Sequence, residues 1–305
     1  MSESPDTPLI ECIKVNTVAA PDITQVEKWY TEWLGYSVCE RGEISELLAS
    51  SWGAPAMAGR SQILMRPESG ADVFIRVCHI DPIEDYKPMN SVGWNAFELI
   101  VDDVYALHEK LQASPFKIIG PPASLGGDLD FIHAMQVEGP AGDVLYLTCD
   151  RVRAADTLLP PAGAFVGRSF IVVLADHGVD RIQSWYSEKF LMQRDEDMRT
   201  EIGVVAQAQG LPANHMFDMG FMALAETGNF IEFDGYESTI PRRLCSDGQL
   251  PPGCSIASFV VQSIDAVDLE YFSDPVSDSS LAYGGGRSRT ALGPAGELIE
   301  LIEGG

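Results

Sequence analysis

Apolar residues along this chain recur at two spacings that follow one another. "IECIKVNTVA" at 10–19 has the length and mixed apolar character of a strand. The next stretch, "PDITQVEKWYTEWLG" at 21–35, spaces Ile23, Val26, Trp29, Tyr30 and Trp33 by three and four, which gathers them on one face of a helix. Asp22 with Gln25 supplies a capping pair at its start, and Gly35 suits its end. Short strands are predicted at about 36–40, 61–66 and 71–78. The order then restarts with a strand in "WNAFELIVD" (94–102), a helix over "DVYALHEKLQ" (103–112), and strands near 116–119, 131–137 and 143–149. The unit is βαβββ, met twice by residue 150.

The same signals return further along. "WYTEWLG" begins at Trp29 and "WYSEKFL" at Trp185, an offset of 156. "GADVFIRV" (70–77) returns as "GNFIEFDG" (228–235), which aligns Arg76 with Glu232. "FELIVDDVYAL" (97–107) returns as "SFVVQSIDAVD" (258–268), and "GPAGDVLYLT" (139–148) as "GPAGELIELIE" (293–303), which aligns Tyr146 with Glu300. Four matches in one order, at offsets from 154 to about 160, predict a duplication. The halves are 8–150 and 165–303, each of two βαβββ modules, joined by a Pro/Ala-rich linker at 151–164. Each half is expected to close its own cup.

This pattern resembles the vicinal oxygen chelate superfamily, the group of glyoxalase I, bleomycin-resistance proteins, methylmalonyl-CoA epimerase and extradiol dioxygenases. The resemblance rests on the "WY(T/S)E" helix after the first strand, on "IVDDV", on "LPANHMFDMGFMALAETGNFIEFDGY" (211–236) and on "GPAGELIEL". It implies an α+β fold of tandem paired βαβββ modules, four in all, whose sheets curl around pockets. Enzymes of the group hold a divalent metal there with His or Glu near the middle of the first and last strands of the modules. Here the first-strand positions carry Val15, Ala96, Ile171 and Ile256, none of which can bind a metal, while Glu232 and Glu300 stand at last-strand positions. No cofactor is expected, with a divalent metal as the less favoured alternative.

Charge and composition narrow the partners. Lys and Arg number 20 against 45 Asp and Glu, a net charge of −25 that repels phosphate backbones and anionic membranes, so neither nucleic acid nor membrane is expected as a partner. The start has no basic segment followed by a long apolar run, and a cytoplasmic location is expected. Cysteines at 12, 39, 78, 149, 245 and 254 form no CxxC pair and read as buried small apolar side chains. The expected partner is a small organic molecule, with room for a homodimer.

Glu232 in "NFIEF" and Glu300 in "ELIEL" are the candidate catalytic residues. A carboxylate in so apolar a strand must be paired, hydrogen-bonded or protonated. Two readings stand open: an ion pair, with Arg287 or Arg289 as partner, or a pair of acids facing one cavity in the second cup, serving as a general base or gripping an amine. Arg76 and Tyr146 are donors suited to a carboxylate or enolate oxygen, with solvent exposure of Arg76 and a disused floor under Tyr146 as the alternative. His133 and His215 are further candidates to line a pocket. The functions expected are a binding protein of the resistance type for a partly apolar molecule, a metal-independent lyase or isomerase, and, third, a metal-dependent extradiol-type dioxygenase.

Overall fold

The computed structural model describes residues 7–152, 157–196 and 198–304. Four modules follow one another. The first holds β1 (Ile10–Ala20), α1 (Ile23–Trp29), β2 (Ser37–Glu43), α2 (Glu46–Ser51), β3 (Ser61–Arg66) and β4 (Phe74–His79). The second holds β5 (Gly93–Val101), α3 (Val104–Leu111), β6 (Lys117–Ser124), β7 (Ile132–Glu138) and β8 (Val144–Asp150). The third holds β9 (Val166–Asp176), α4 (Val179–Phe190), β10 (Met198–Glu201), α5 (Gly203–Gln209), β11 (Met216–Ala223) and β12 (Phe230–Gly235). The fourth holds β13 (Gly253–Val261), β14 (Val276–Ser277), β15 (Arg287–Leu292) and β16 (Leu298–Glu303), and its helix has shrunk to one 3-10 turn at Ile264–Ala266.

The caps read from sequence form. Asp22 accepts from the Gln25 amide at 2.9 Å, and α1 runs on through a π-helical turn, Tyr30–Leu34, to Gly35 at φ 75°. Such a backbone angle suits glycine and ends the helix. The linker residues described, 151–152 and 157–164, carry neither helix nor strand, and 153–156 lie outside the described residues.

The sixteen strands make two curled eight-stranded sheets, ordered β14-β15-β16-β13-β1-β4-β3-β2 and β10-β11-β12-β9-β5-β8-β7-β6. The first sheet therefore joins module one to module four, and the second joins module two to module three. The expectation that each half closes its own cup is corrected. The seams are antiparallel: β1 meets β13 with Val15 opposite Ser258 and Thr17 opposite Ile256, and β5 meets β9 with Ala96 opposite Val173 and Glu98 opposite Ile171. Each cup thus draws one wall from each half of the sequence.

Side chains alternate across the sheets, so each strand feeds two cores. The outer faces of both sheets share one large apolar cluster with α1, α3 and α4, including Trp94, Phe97, Leu145, Val172 and Phe259. The concave faces fill separately. Short helix α2 lays Leu48, Ala49 and Trp52 into the first cup, and α5 lays Val205 and Ala206 into the second. The segments 48–60 and 203–216 are thus helical plugs in part. Of the six cysteines, Cys78, Cys149 and Cys254 are buried as expected, Cys12 and Cys39 are half-buried, and Cys245 is exposed.

Candidate functional site

Four equivalent positions, one on the last strand of each module, carry Arg76, Tyr146, Glu232 and Glu300. The sheet order decides how they pair. Arg76 and Glu300 share the first cup, and Tyr146 and Glu232 share the second. The expected meeting of Glu232 with Glu300 in one cavity is corrected, because β12 and β16 belong to different sheets.

In the first cup the charged groups satisfy one another, while the Thr17 and Thr290 hydroxyls, in register with Arg76 and Glu300, lack a partner among the described residues. Glu300 Oε1 accepts from Trp52 Nε1 at 2.8 Å and from Tyr283 Oη at 2.9 Å, while Oε2 accepts from Ser258 Oγ at 2.5 Å and from Arg76 Nη1 at 3.4 Å. Arg76 Nη2 donates to Tyr283 Oη at 2.8 Å, and its guanidinium lies over the rings of Trp52 and Tyr283 at 5.0 and 5.2 Å. Glu300 is 0 % exposed and Arg76 2 %. Arg76, expected as a ligand donor or a solvated side chain, is instead the buried partner of Glu300, in place of Arg287 or Arg289. Its proton is held more tightly than usual, since the neighbouring Tyr283 and Glu300 outweigh its burial. Arg287 pairs with Asp265 and Glu303 at the surface. The cup is closed by its own charges.

The second cup is built differently. Tyr146, Glu98 and Ile171 stand side by side across β8, β5 and β9, and each keeps 7 % of its surface exposed. Glu232, at 5 %, pairs in register with Val173 of β9 and is followed two residues later on the same face by buried Asp234. No arginine or lysine forms an ion pair with Glu98, Glu232 or Asp234 among the described residues. Burial is the main cause of the shifts that follow. It lifts Glu98 to about 7 and Asp234 to about 7. Glu232 rises well above the usual carboxylate range, with burial aided by the like charges of Asp234 and Glu98. Tyr146 is pushed well above its ordinary value by the same burial and so remains a neutral phenol donor. Asp234 shares a hydrogen bond with Glu232, and the Thr148 hydroxyl supports Glu98, while the Tyr236 hydroxyl lacks a hydrogen-bond partner among the described residues.

The two histidines separate. His215 sits just before β11 with its ring 4.6 Å from Phe217, a side chain of the second cup, and its Nε2 3.5 Å from Glu237 at the rim. His133 is corrected: it pairs in register with Cys149, on the face opposite Tyr146 and Thr148, and its Nδ1 meets the Tyr105 hydroxyl of α3 at 2.8 Å. It belongs to the helix-covered side. Glu98 and Asp234 were not singled out from sequence. Asp234 was findable, since "IEFD" places it two residues from Glu232. Glu98 was hidden in "GWNAFELIV", a strand buried at all nine positions, where alternation carries no signal.

No protein-family model matches the chain, and no curated protein matches its sequence. Solved structures do match in shape. Glyoxalase I from Zea mays aligns over 96% of this chain and 92% of its own, with TM-score 0.63 at 14% identity. A "putative dioxygenase" from Bacillus subtilis aligns over 98% of this chain and 86% of its own, with TM-score 0.61 at 9% identity. The chain shares the fold of these two structures. At such identities the likeness to the vicinal oxygen chelate superfamily read from the sequence holds for architecture alone, and the chemistry must come from this chain's own side chains.

The donors present do not fit the divalent metal of that superfamily. Val15, Ala96, Ile171 and Ile256 are apolar and buried, and among the described residues no group of three His, Cys, Asp or Glu is arranged to hold a metal ion. Glu300 already has four donors around it. Among the described residues no helix is long and apolar enough to cross a membrane.

Proposed function

We propose that the second cup binds a small, partly apolar organic molecule and shifts a proton on it without a metal ion, as a lyase or isomerase acting beside a carbonyl would. The observation that supports this most is the cluster of Glu98, Glu232 and Asp234, buried on one concave face without a cation and all raised above the ordinary carboxylate range, Glu98 and Asp234 to about 7. A general acid or base works best with its pKa near the working pH. Tyr146 Oη is the donor for the carbonyl or enolate oxygen, Glu232 exchanges the proton with carbon, and Glu98 and Asp234 take up or release it. These acids titrate as a group rather than singly. Val173, Ile171 and Ala96 would hold the apolar body, and His215 would stand at the entrance.

The missing counter-cation favours a second reading, in which the cup retains a cationic amine without transforming it. One experiment separates the two. The protein is incubated in deuterated water with a panel of α-hydroxy ketones and, separately, of aliphatic and aromatic amines, with exchange and binding followed by NMR. Exchange at carbon that disappears in Glu232→Gln supports the first reading. Amine binding that weakens in the same variant, without exchange of any ketone, replaces it with the second. If neither class binds, the cup is not the site.

A further inference from the structure

A second candidate site lies at the margin of the first cup, where the connectors between modules meet and Trp52 forms part of the wall. Residue Val92, before β5, bridges to Arg242, in the stretch leading to β13. Beside them lies a cleft of about 270 Å³ whose walls include Trp94, Phe272, Leu298, Arg242, Arg243 and Ser255.

The duplication explains why the cleft exists. Tyr86 and Arg242 are 156 residues apart, the offset that relates Trp29 to Trp185. Each stands by a GPAG turn. Tyr86 Oη donates to the Gly142 carbonyl at 3.1 Å, and its ring fills the space so closely that a Cβ on Gly142 would come within 2.7 Å of it, while one on Gly253 would strike its hydroxyl. At the equivalent place, Gly296 has only the tip of Arg242 nearby, at 3.4 Å, and Gly93, the counterpart of Gly253, has nothing within 4 Å. One copy of this niche is plugged by a phenol, and the other is left open beneath a guanidinium.

The open niche carries unused donors. The Arg242 side chain makes no hydrogen bond or ion pair among the described residues, in a chain with 45 acids. Ser255 is 2 % exposed, and its hydroxyl has no partner there. Arg243 spends its own donors on Ser91, Asn95 and the Cys254 carbonyl, and so leaves a fixed positive charge behind Arg242. Glu297 also borders the cleft, but it is turned to the Tyr186 hydroxyl and the Ala295 amide, and burial pushes it up to about 8, so it offers little opposing charge at neutral pH. We propose that this cleft binds a small organic anion with a flat apolar body, its carboxylate on Arg242 and Ser255 and its ring against the exposed Phe272. A guanidinium presents two parallel N–H donors to a carboxylate and an aromatic wall accepts a planar body, which is the combination such a ligand needs.

Benzoate is a suitable probe, with benzamide as its uncharged isostere, each titrated calorimetrically into the full-length protein. Benzoate is expected to bind saturably and at least tenfold more tightly than benzamide, with affinity falling as salt rises. Arg242→Gln should lose at least tenfold, and Arg242→Tyr, which restores the plug of the other copy, should abolish binding. Both variants should keep the parental circular dichroism, since residue 242 is exposed. Glu232→Gln should bind benzoate as the parent does, which keeps this test independent of the second cup. Equal affinity for benzoate and benzamide, or unchanged binding in Arg242→Gln, would overturn the proposal.

Discussion

Arg76 and Glu300 meet at 3.4 Å with neither exposed beyond 2 %, in a network where every Glu300 oxygen is engaged. Removing one member of such a pair strands the other charge in a medium that cannot solvate it, at a cost of about 3–5 kcal/mol, whereas removing both costs less. Arg76→Met and Glu300→Gln should therefore each lower stability by about that amount in urea unfolding, and the double variant should be more stable than the sum of the two implies. Strictly additive losses would mean that the two side chains act separately. Three of the last-strand positions were readable as chemically special from the "IRV", "IEF" and "IEL" settings. The partners of Arg76 and Glu300 were not, because Trp52, Tyr283 and Ser258 reach them from 17 to 248 residues away, across loops and strands that sequence spacing does not connect.

Between elements, the two most visible repeated signatures turn out to touch. Tyr30, from the first "WY" pair, donates to Asp143, just after the first GPAG turn, at 2.5 Å. Tyr186, from the second, donates to Glu297, just after the other, at 3.1 Å. In each case the turn's own amide, at Ala141 or Ala295, is the second donor to the acid. These contacts tie module one to module two and module three to module four, so they fasten together the two sheets that the strands themselves keep apart. Tyr30→Phe and Tyr186→Phe should each cost about 1–3 kcal/mol, the penalty for leaving a buried acceptor short of a donor. Their effects should add, since the contacts lie in different halves. A strong departure from additivity would show that the fastenings are mechanically coupled. The strands and helices themselves were legible because each module repeats its spacing, whereas the choice of strand partner was not. All four opening strands are almost wholly buried, so their hydrophobic pattern does not distinguish one neighbour from another. The usual preference for pairing successive units pointed to the wrong one.

For the molecule as a whole, the buried acids set the pH response. Glu98 and Asp234 stand at about 7 and Glu297 at about 8 in the folded chain, with Asp143 and Glu232 also raised. An unfolded carboxyl releases its proton near 4, so between that pH and about 7 to 8 the folded chain holds more protons than the unfolded one, and stability falls as pH rises. Each unit of difference is worth about 1.4 kcal/mol per group, which makes the total loss on the order of several kcal/mol. The denaturation midpoint should drop from pH 5 to pH 8, and Glu98→Gln with Asp234→Asn should flatten the drop. A midpoint that rises over this range would contradict the assignment of these groups as buried and raised. Self-repulsion from the net charge of −25 acts in the same direction, so the comparison with the double variant is the decisive part.

The crossed pairing of modules also has a consequence for inheritance. Because each sheet takes one module from either side of residues 151–164, a recombination within that linker would not exchange one site for another. It would give both cups a foreign wall at once, setting a new partner against Arg76 in the first and against Tyr146 in the second. Chimeras of this architecture joined at the linker therefore mix two chemistries, while an exchange of residues 93–235 as a block would transfer the second cup whole.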